Sequence, residues 1–455
     1  MADGGQTRLA QDGVVGGMTH VIGAGLAGLS TALCLSEAGH RVTVWESAGH
    51  AGGRVRSFHD AVLDRMIDNG SHLILTGNDG VQRFMARSGA PNGLVAADHA
   101  AFPMVDLEAE GDRRHFTIQL DEGRLQRWLF DPARRIPGMG ALDLLAGWRL
   151  AFAGPETTVA QAVRDRGPAW RAFWEPLTLG ILNTKPEAAS AALLWRVMAE
   201  TFLKGARPSR PMFAPDGLAS ALVDPAVARL RAGGVAVNLN TMVKDVERVG
   251  DRATALRLGG ERVALSPDDR VVLALPPSRL TRLMPDLAPP ADDAAILNAH
   301  FRVDEPAALA DVPPLVGIIG GMAQWTFVRG DVISVTVSAA HQIGALDRPR
   351  AEVASILWRE VAAALHLKSE PAASRIIVEK RATFDQSPDG VARRLTATTS
   401  MPNVFLAGDA TQTGLPATIE GAVRSGETAA KLVMASLSSD SATMPTGRKV
   451  TTAEA

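Results

Sequence analysis

Between residues 19 and 46 the chain reads as strand, glycine turn, helix and second strand, an order that few folds accept. Residues 19–22 (THVI) are short and apolar, and residues 23–28 (GAGLAG) space three glycines as Gly23, Gly25 and Gly28. Leu29, Ala32 and Leu33 then share one helical face, Gly39 supplies a helix stop, and residues 41–46 (RVTVWE) form the second strand. This is a βαβ unit and places the chain in the α/β class. Gly23 permits the tight turn, Gly25 lets backbone approach a pyrophosphate, and Gly28 lets helix and strand pack closely. With Ala24, Leu26 and Ala27 around them, they present helix N-terminal N–H groups and a positive dipole end to phosphates. Glu46 stands 18 residues after Gly28, beside Ser47, where a carboxylate can hold both ribose hydroxyls of an adenosine and repel a 2′-phosphate.

Length and composition narrow the rest. The chain has 455 residues, enough for two or three domains, with 46% hydrophobic and 21% charged residues. That material excludes disorder as the main state. A net charge of −2 argues against a nucleic-acid partner. Cys34 is the one cysteine, so an internal disulfide and a Cys-based zinc site are both excluded, no metal is expected, and a reducing, cytoplasmic setting is the natural reading. No run of about 20 apolar residues suggests a membrane span.

The pattern then divides. Residues 1–18 and the Ser/Thr-rich residues 438–455 read as flexible tails. Residues 96–214 are rich in Arg, Trp and Pro, with helical stretches expected near 140–152, 157–182 and 187–204. From Gly233 short strands follow one another to residue 277. An amphipathic helix is expected over about 350–366, a buried strand over 403–409, and a helix over about 420–435. The economical arrangement is one nucleotide-binding domain assembled from 19–95, 215–290 and 395–437, and a substrate domain built from 96–214 and 291–394.

Two further motifs carry chemistry. Gly52, Gly53 and Arg54 fit a loop that wraps cofactor phosphates. Gly408 and Asp409 end the late strand, so that Asp409 can face a polyol chain, and the following helix can aim backbone N–H groups at the electron-rich edge of a flavin. In this order the three elements resemble the FAD-binding architecture of the amine oxidase and phytoene desaturase superfamily. The resemblance implies a Rossmann-like FAD-binding domain with an inserted α+β substrate domain. It implies FAD contacts from Gly70, Ser71, His72, Ala417, Thr418 and Ile419, and backbone from Val243 beside the adenine. Ala410 departs from it, since a larger aromatic residue is expected there.

Within the superfamily, residues 66–78 (MIDNGSHLILTGN), 379–384 (EKRATF) and 414–426 (GLPATIEGAVRSG) resemble the hydroxysqualene dehydroxylase family of bacterial hopanoid pathways, over about residues 19–435. The absence of tyrosine, the absence of lysine from 291–367 and the apolar Leu415–Pro416 pair are unlike an amine oxidase with an aromatic cage. The resemblance implies reductive loss of an allylic hydroxyl from a C30 chain, with hydride from reduced FAD and His72 or Asp68 as proton donor. For His72 the competing reading is a core histidine bound to backbone, and for Asp68 a structural carboxylate accepting turn N–H groups. Hydroxysqualene synthase and an external flavin reductant are the implied partners. A carotenoid-type desaturase and a non-catalytic isoprenoid carrier are the competing functions. The Trp- and Arg-rich residues 124–174 read either as a surface on the inner face of the cell membrane or as the wall of a substrate tunnel.

Overall fold

The computed structural model describes residues 17–443, apart from 112, 113, 124, 141, 142, 144, 145, 165, 166 and 293. Residues 1–16 and 444–455, most of the two expected tails, lie outside the described residues. Met18 already belongs to a strand, its N–H donating to Asp269 Oδ1 at 2.7 Å, and the last helix runs through 438–443.

A five-stranded parallel sheet organises the cofactor side. Its strands are β1 (Met18–Ile22), β2 (Arg41–Trp45), β3 (Ala236–Asn238), β4 (Arg270–Leu273) and β5 (Val404–Leu406), in the order β3–β2–β1–β4–β5. The strands are apolar on both faces because both are covered. Val21, Val44, Val272 and Phe405 pack against α1 (Leu26–Glu37) and α2 (Ile419–Thr443). Ile22, Val271, Leu273, Val404 and Leu406 pack against a three-stranded meander formed by residues 245–264. Register aligns Ile22 with Trp45 and Leu273, and Leu273 with Leu406. Gly23, Glu46, Ala274 and Gly408 therefore emerge at one carboxyl edge, where open α/β sheets bind ligands.

α2 crosses α1 at close range. Ser30 Oγ donates to the Val423 carbonyl at 2.9 Å, Thr31 Oγ1 donates to the Gly426 carbonyl at 3.2 Å, and a Cβ on Gly426 would overlap the Ala27 carbonyl oxygen.

Beyond this layer stands a seven-stranded sheet, antiparallel except where Leu315–Ile319 pairs with Ala101–Asp106. Its other strands include Ala294–Arg302, Trp325–Arg329, Val332–Val337 and Ala373–Thr383. Short helical segments wall its near side: Ala146–Phe152, Val159–Val163, Trp170–Leu182 with a wide first turn, and Ala191–Glu200. The helix expected over 157–182 is thus broken. Arg164 is left-handed at φ 61°, and Pro168 disfavours helical backbone at Gly167, so the chain restarts at Trp170. Arg350–Leu365 is helical as its spacing suggests, closed by His366 at φ 56°.

Candidate active site

The glycine turn after β1 is shaped by collisions it avoids. Gly23 sits at φ 103°, in the left-handed region, and a Cβ there would overlap the Ala274 carbonyl oxygen. A Cβ on Gly28 would overlap the Gly23 carbonyl oxygen. Gly25, at the N-cap of α1, has nothing within 4 Å of its Cβ position; that space is cavity. The second glycine loop leans on the first. Gly52 N–H donates to the Ala24 carbonyl at 2.7 Å, and a Cβ on Gly53 would lie 3.3 Å from Gly25 Cα.

Glu46 is held at the end of β2. Its Oε2 accepts the Ala24 N–H at 2.8 Å, and its Oε1 accepts the Ala48 N–H at 2.8 Å and the Ser47 hydroxyl at 3.2 Å. Two oxygens with one or two donors each retain lone pairs for ribose hydroxyls. Thr241 N–H donates to the Glu46 carbonyl at 2.7 Å, which tethers the segment that carries Val243 to the same rim.

At the far end Gly408, at φ 110°, turns the chain out of β5, and its N–H donates to Ser425 Oγ at 2.7 Å. Asp409 is buried. Arg54 Nη1 lies 2.8 Å from its Oδ2 and donates to the Ala382 carbonyl at 2.7 Å. Asp409 raises the guanidinium pKa further, so Arg54 stays charged. The approach to Oδ2 is off-angle, and that buried oxygen has no hydrogen-bond donor among the described residues.

α2 begins at Ile419, with Thr418 Oγ1 accepting the Gly421 N–H at 3.1 Å. Glu420 turns away to cap another helix, Asp79–Ser88. Its two oxygens accept the Gly80 and Val81 N–H groups at 2.9 Å each, and Arg424 pairs with it and with Glu200. The loop before α2 is fixed by buried Arg394, which donates to the Leu415 carbonyl at 2.7 Å and to Thr413 Oγ1 at 2.6 Å; burial lowers its pKa to about 10. Ala410, where an aromatic residue was expected, is fully buried in the core below the sheet edge.

These elements surround one cavity of about 1030 Å³. Pockets for a single ligand run to roughly 300–1,000 Å³, so this volume stands at the top of that range. Of the sequence-predicted site residues, Gly23, Gly25, Leu26, Ala27, Glu46, Ser47, Gly53, Arg54, Gly70, Ser71, His72, Val243, Gly408, Asp409, Ala417, Thr418 and Ile419 line it. Three do not. Ala24 is sealed beneath Glu46, and Gly28 packs against Gly23. Asp68 is enclosed by its partners: Ser57 Oγ donates to it at 2.5 Å, Leu218 N–H at 2.9 Å and Arg329 Nη1 at 2.6 Å. This arrangement favours the structural-carboxylate reading of Asp68 over the proton-donor one.

His72 faces the cavity, its side chain open to that space and otherwise surrounded by protein. Nδ1 lies 2.9 Å from the Gly70 carbonyl, which only a protonated Nδ1 can satisfy, so Nε2 carries the lone pair in the neutral ring. Burial lowers the imidazole pKa, outweighing the opposing pull of the Gly70 carbonyl and Asp68. Near it runs a polar strip that sequence reasoning missed. Asn69 Nδ2 donates to Glu379 Oε2 at 3.2 Å, Asn298 Nδ2 donates to the Asn69 carbonyl at 3.3 Å, and Thr336 Oγ1 donates to Asn298 Oδ1 at 3.1 Å. Asn298 was findable, as the first polar side chain after the apolar run AAIL of the strand AAILNAHFR. The remainder of the cavity is aromatic and aliphatic: Trp128, Trp148, Trp174, Trp195, Phe173 and Trp325 converge on it. The tryptophan-rich stretch thus contributes cavity lining on its inner side. Leu125, Phe130 and Phe152 of the same stretch are 65%, 62% and 85% exposed and do not line the cavity.

The lone pairs of Glu46, the open space beside Gly25 and the unaligned Oδ2 of Asp409 follow one another along the carboxyl edge and fit, in that order, the ribose, diphosphate and polyol of FAD. Fold and site together define an FAD-dependent oxidoreductase. The model of the flavin containing amine oxidoreductase family matches residues 26–434. The chain is 40% identical to hydroxysqualene dehydroxylase of Sinorhizobium fredii over 91% of its own length and 98% of that protein. It is 40% identical to the protein of the same name from Rhodopseudomonas palustris, with the same two coverages. A shorter stretch, 17% of this chain and 14% of its relative, is 40% identical to zeta-carotene desaturase of Zea mays. Among solved structures, cyclohexylamine oxidase from Brevibacterium oxydans superposes with a TM-score of 0.66 at 15% identity, over 93% of this chain and 100% of that one, which speaks to the fold alone. The chain belongs to the hydroxysqualene dehydroxylase family, within the flavin containing amine oxidoreductases.

Proposed function

We propose that this protein converts hydroxysqualene to squalene by reductive loss of the allylic hydroxyl. The observation that carries the reading is a single cavity that joins a dinucleotide cradle to a chamber walled by tryptophan and phenylalanine, with its polar groups gathered in one strip. A C30 hydrocarbon gains free energy from such walls, about 25 cal/mol for each Å² of apolar surface removed from water. When bound, FAD in its reduced form supplies the hydride.

The chain's own residues set the conditions for that transfer. Departure of the hydroxyl as water leaves an allylic cation, and the closed aromatic wall keeps solvent from trapping it. Neutral His72 can accept the substrate O–H at Nε2. To act as the acid His72 must first take up one proton from solvent; its lowered pKa then makes that imidazolium a strong donor to the leaving oxygen, and the ring returns to the neutral form as water departs. Gly23 to Gly28, Glu46, Gly53, Arg54, Val243, Gly408, Asp409 and the start of α2 hold the cofactor in this reading. The same reading divides the chain into a cofactor domain from 19–95, 215–290 and 395–437 and a substrate domain from 96–214 and 291–394. The outward Leu125, Phe130 and Phe152 support peripheral contact with the inner face of the cell membrane, where the substrate dissolves. No helix among the described residues is long and apolar enough to cross a bilayer.

Anaerobic incubation of dithionite-reduced protein with hydroxysqualene tests the function: squalene should form as the flavin reoxidises. The local likeness to zeta-carotene desaturase supports a second reading, polyene desaturation. Products with added double bonds and no lost hydroxyl would select it. A His72→Asn variant that turns over at the full rate with flavin bound would remove His72 from proton handling.

A further inference from the structure

Beside the large cavity lies an open recess of about 360 Å³ bordered by Ser278 and the exposed Arg279, Arg282 and Arg381, and all three arginines line the large cavity as well. Arg279 and Arg282 sit on the helix Pro277–Leu283, two turns of chain beyond the end of β4, and Arg381 comes from the strand Ala373–Thr383. Arg381 Nη1 donates to Ser278 Oγ at 3.2 Å, and Ser278 Oγ donates to Asp292 Oδ2 at 2.8 Å. Glu379, two residues before Arg381, accepts the Arg381 N–H at 3.3 Å and the Asn69 amide. Neither acid pairs with a guanidinium here. Among the described residues Arg279, Arg282 and Arg381 form no ion pair, whereas Arg54, Arg83, Arg171 and Arg424 all do. Three guanidinium groups outnumber the two carboxylates beside them, Asp292 and Glu379, which leaves a local positive potential, and their planar forks match phosphate oxygens.

We propose that this recess takes the phosphates of a pyridine dinucleotide reductant, with the 2′-phosphorylated form preferred. The inference rests on the dehydroxylation reading, which requires a two-electron donor: R–OH + NADPH + H⁺ gives R–H + NADP⁺ + H₂O. One C–O bond breaks, one C–H bond forms, the dinucleotide is oxidised and the substrate carbon reduced. The cradle at Gly25 and Glu46 is taken by the flavin's adenosine, and Glu46 repels a 2′-phosphate. A second dinucleotide therefore needs phosphate contacts elsewhere, and the arginine recess supplies them on the flank of the same cavity.

Calorimetric titration of the FAD-loaded protein with NADP⁺ and NAD⁺ tests this without turnover. NADP⁺ should bind about tenfold or more tighter than NAD⁺, and Arg279→Ala, Arg282→Ala and Arg381→Ala should each weaken NADP⁺ by about tenfold. FAD content should be unchanged in all three. Absence of NADP⁺ binding, or equal binding by the variants, overturns the proposal. So does loss of FAD from the variants, which would give the arginines to the flavin, or inorganic phosphate binding as tightly as NADP⁺. Dithionite-reduced protein separates this from the function itself: squalene formation there with no NADP⁺ binding rejects the recess alone, and no squalene rejects the dehydroxylation reading.

Discussion

Two glycines three residues apart should fail in opposite ways when given the same methyl group. At Gly25 the backbone is at φ −72° and ψ 176°, which alanine adopts freely, and the new Cβ meets nothing within 4 Å. Restricting the unfolded chain gains about 0.4–1 kcal/mol, and losing a tolerated N-cap glycine costs about 0.5–1 kcal/mol. Gly25→Ala should therefore leave the apoprotein within about 1 kcal/mol of the parent. The methyl group would occupy the space beside the α1 N-terminus. If it separates two backbone N–H groups from phosphate oxygens, at about 1.5–3 kcal/mol for each bond to a charged group, FAD affinity falls by roughly 10²–10⁴-fold. At Gly28 the same methyl overlaps the Gly23 carbonyl oxygen. The helix must leave the strand, at a cost of at least about 3 kcal/mol. Thermal melts of the two apoproteins and FAD titration by flavin fluorescence distinguish the cases. A Gly25→Ala protein with parental FAD affinity, or a Gly28→Ala protein with a parental melting temperature, would refute the reasoning.

Acid should destabilise the protein through His300, a fully buried side chain whose pKa burial pushes down to about 4. The folded state holds the neutral ring, so stability is complete above the unfolded value near 6.5 and is lost as pH falls toward 4; about 2–3 kcal/mol should disappear between pH 7.5 and 4.5. Urea unfolding at the two pH values should show that gap, and His300→Gln should shrink it. Glu420→Ala strips the acceptors from Gly80 and Val81 and leaves Arg424 with Glu200 alone, so the melt should reveal a loss of about 3 kcal/mol, while Glu420→Gln should cost about half as much. Replacing Leu125, Phe130 and Phe152 by serine should change folding stability by no more than about 0.5 kcal/mol per site yet abolish flotation with anionic liposomes; flotation that persists would place any membrane contact elsewhere.

What the sequence makes legible is local. The glycine spacing, the acid after β2 and the short strands from residue 236 to 273 depend on neighbours in the chain, and each is where periodicity put it. For Asp68 the sequence left a proton donor and a structural carboxylate both open, because its partner Arg329 lies 261 residues away. Arg54 was read as a phosphate ligand, and its contact with Asp409, across the whole fold, has no trace in either motif. Asn183 is similar: left-handed at φ 49°, it accepts the Ala339 N–H at 2.6 Å and donates to Thr383 Oγ1 at 3.0 Å, joining the helical wall to the large sheet. Such residues are chosen by partners remote along the chain, which a single sequence does not display.

The crossing of α2 over α1 has a consequence for biosynthesis. The nucleotide turn leaves the ribosome long before its roof and the polyol acid, which come several hundred residues later. At roughly 5–20 residues per second, tens of seconds separate Gly25 from Asp409. During that interval the nascent β1–α1 unit has an uncovered apolar back and half a receptacle. Vitamin capture is therefore a terminal event of synthesis, and a chain clipped before residue 419 would leave the ribosome colourless and prone to aggregation.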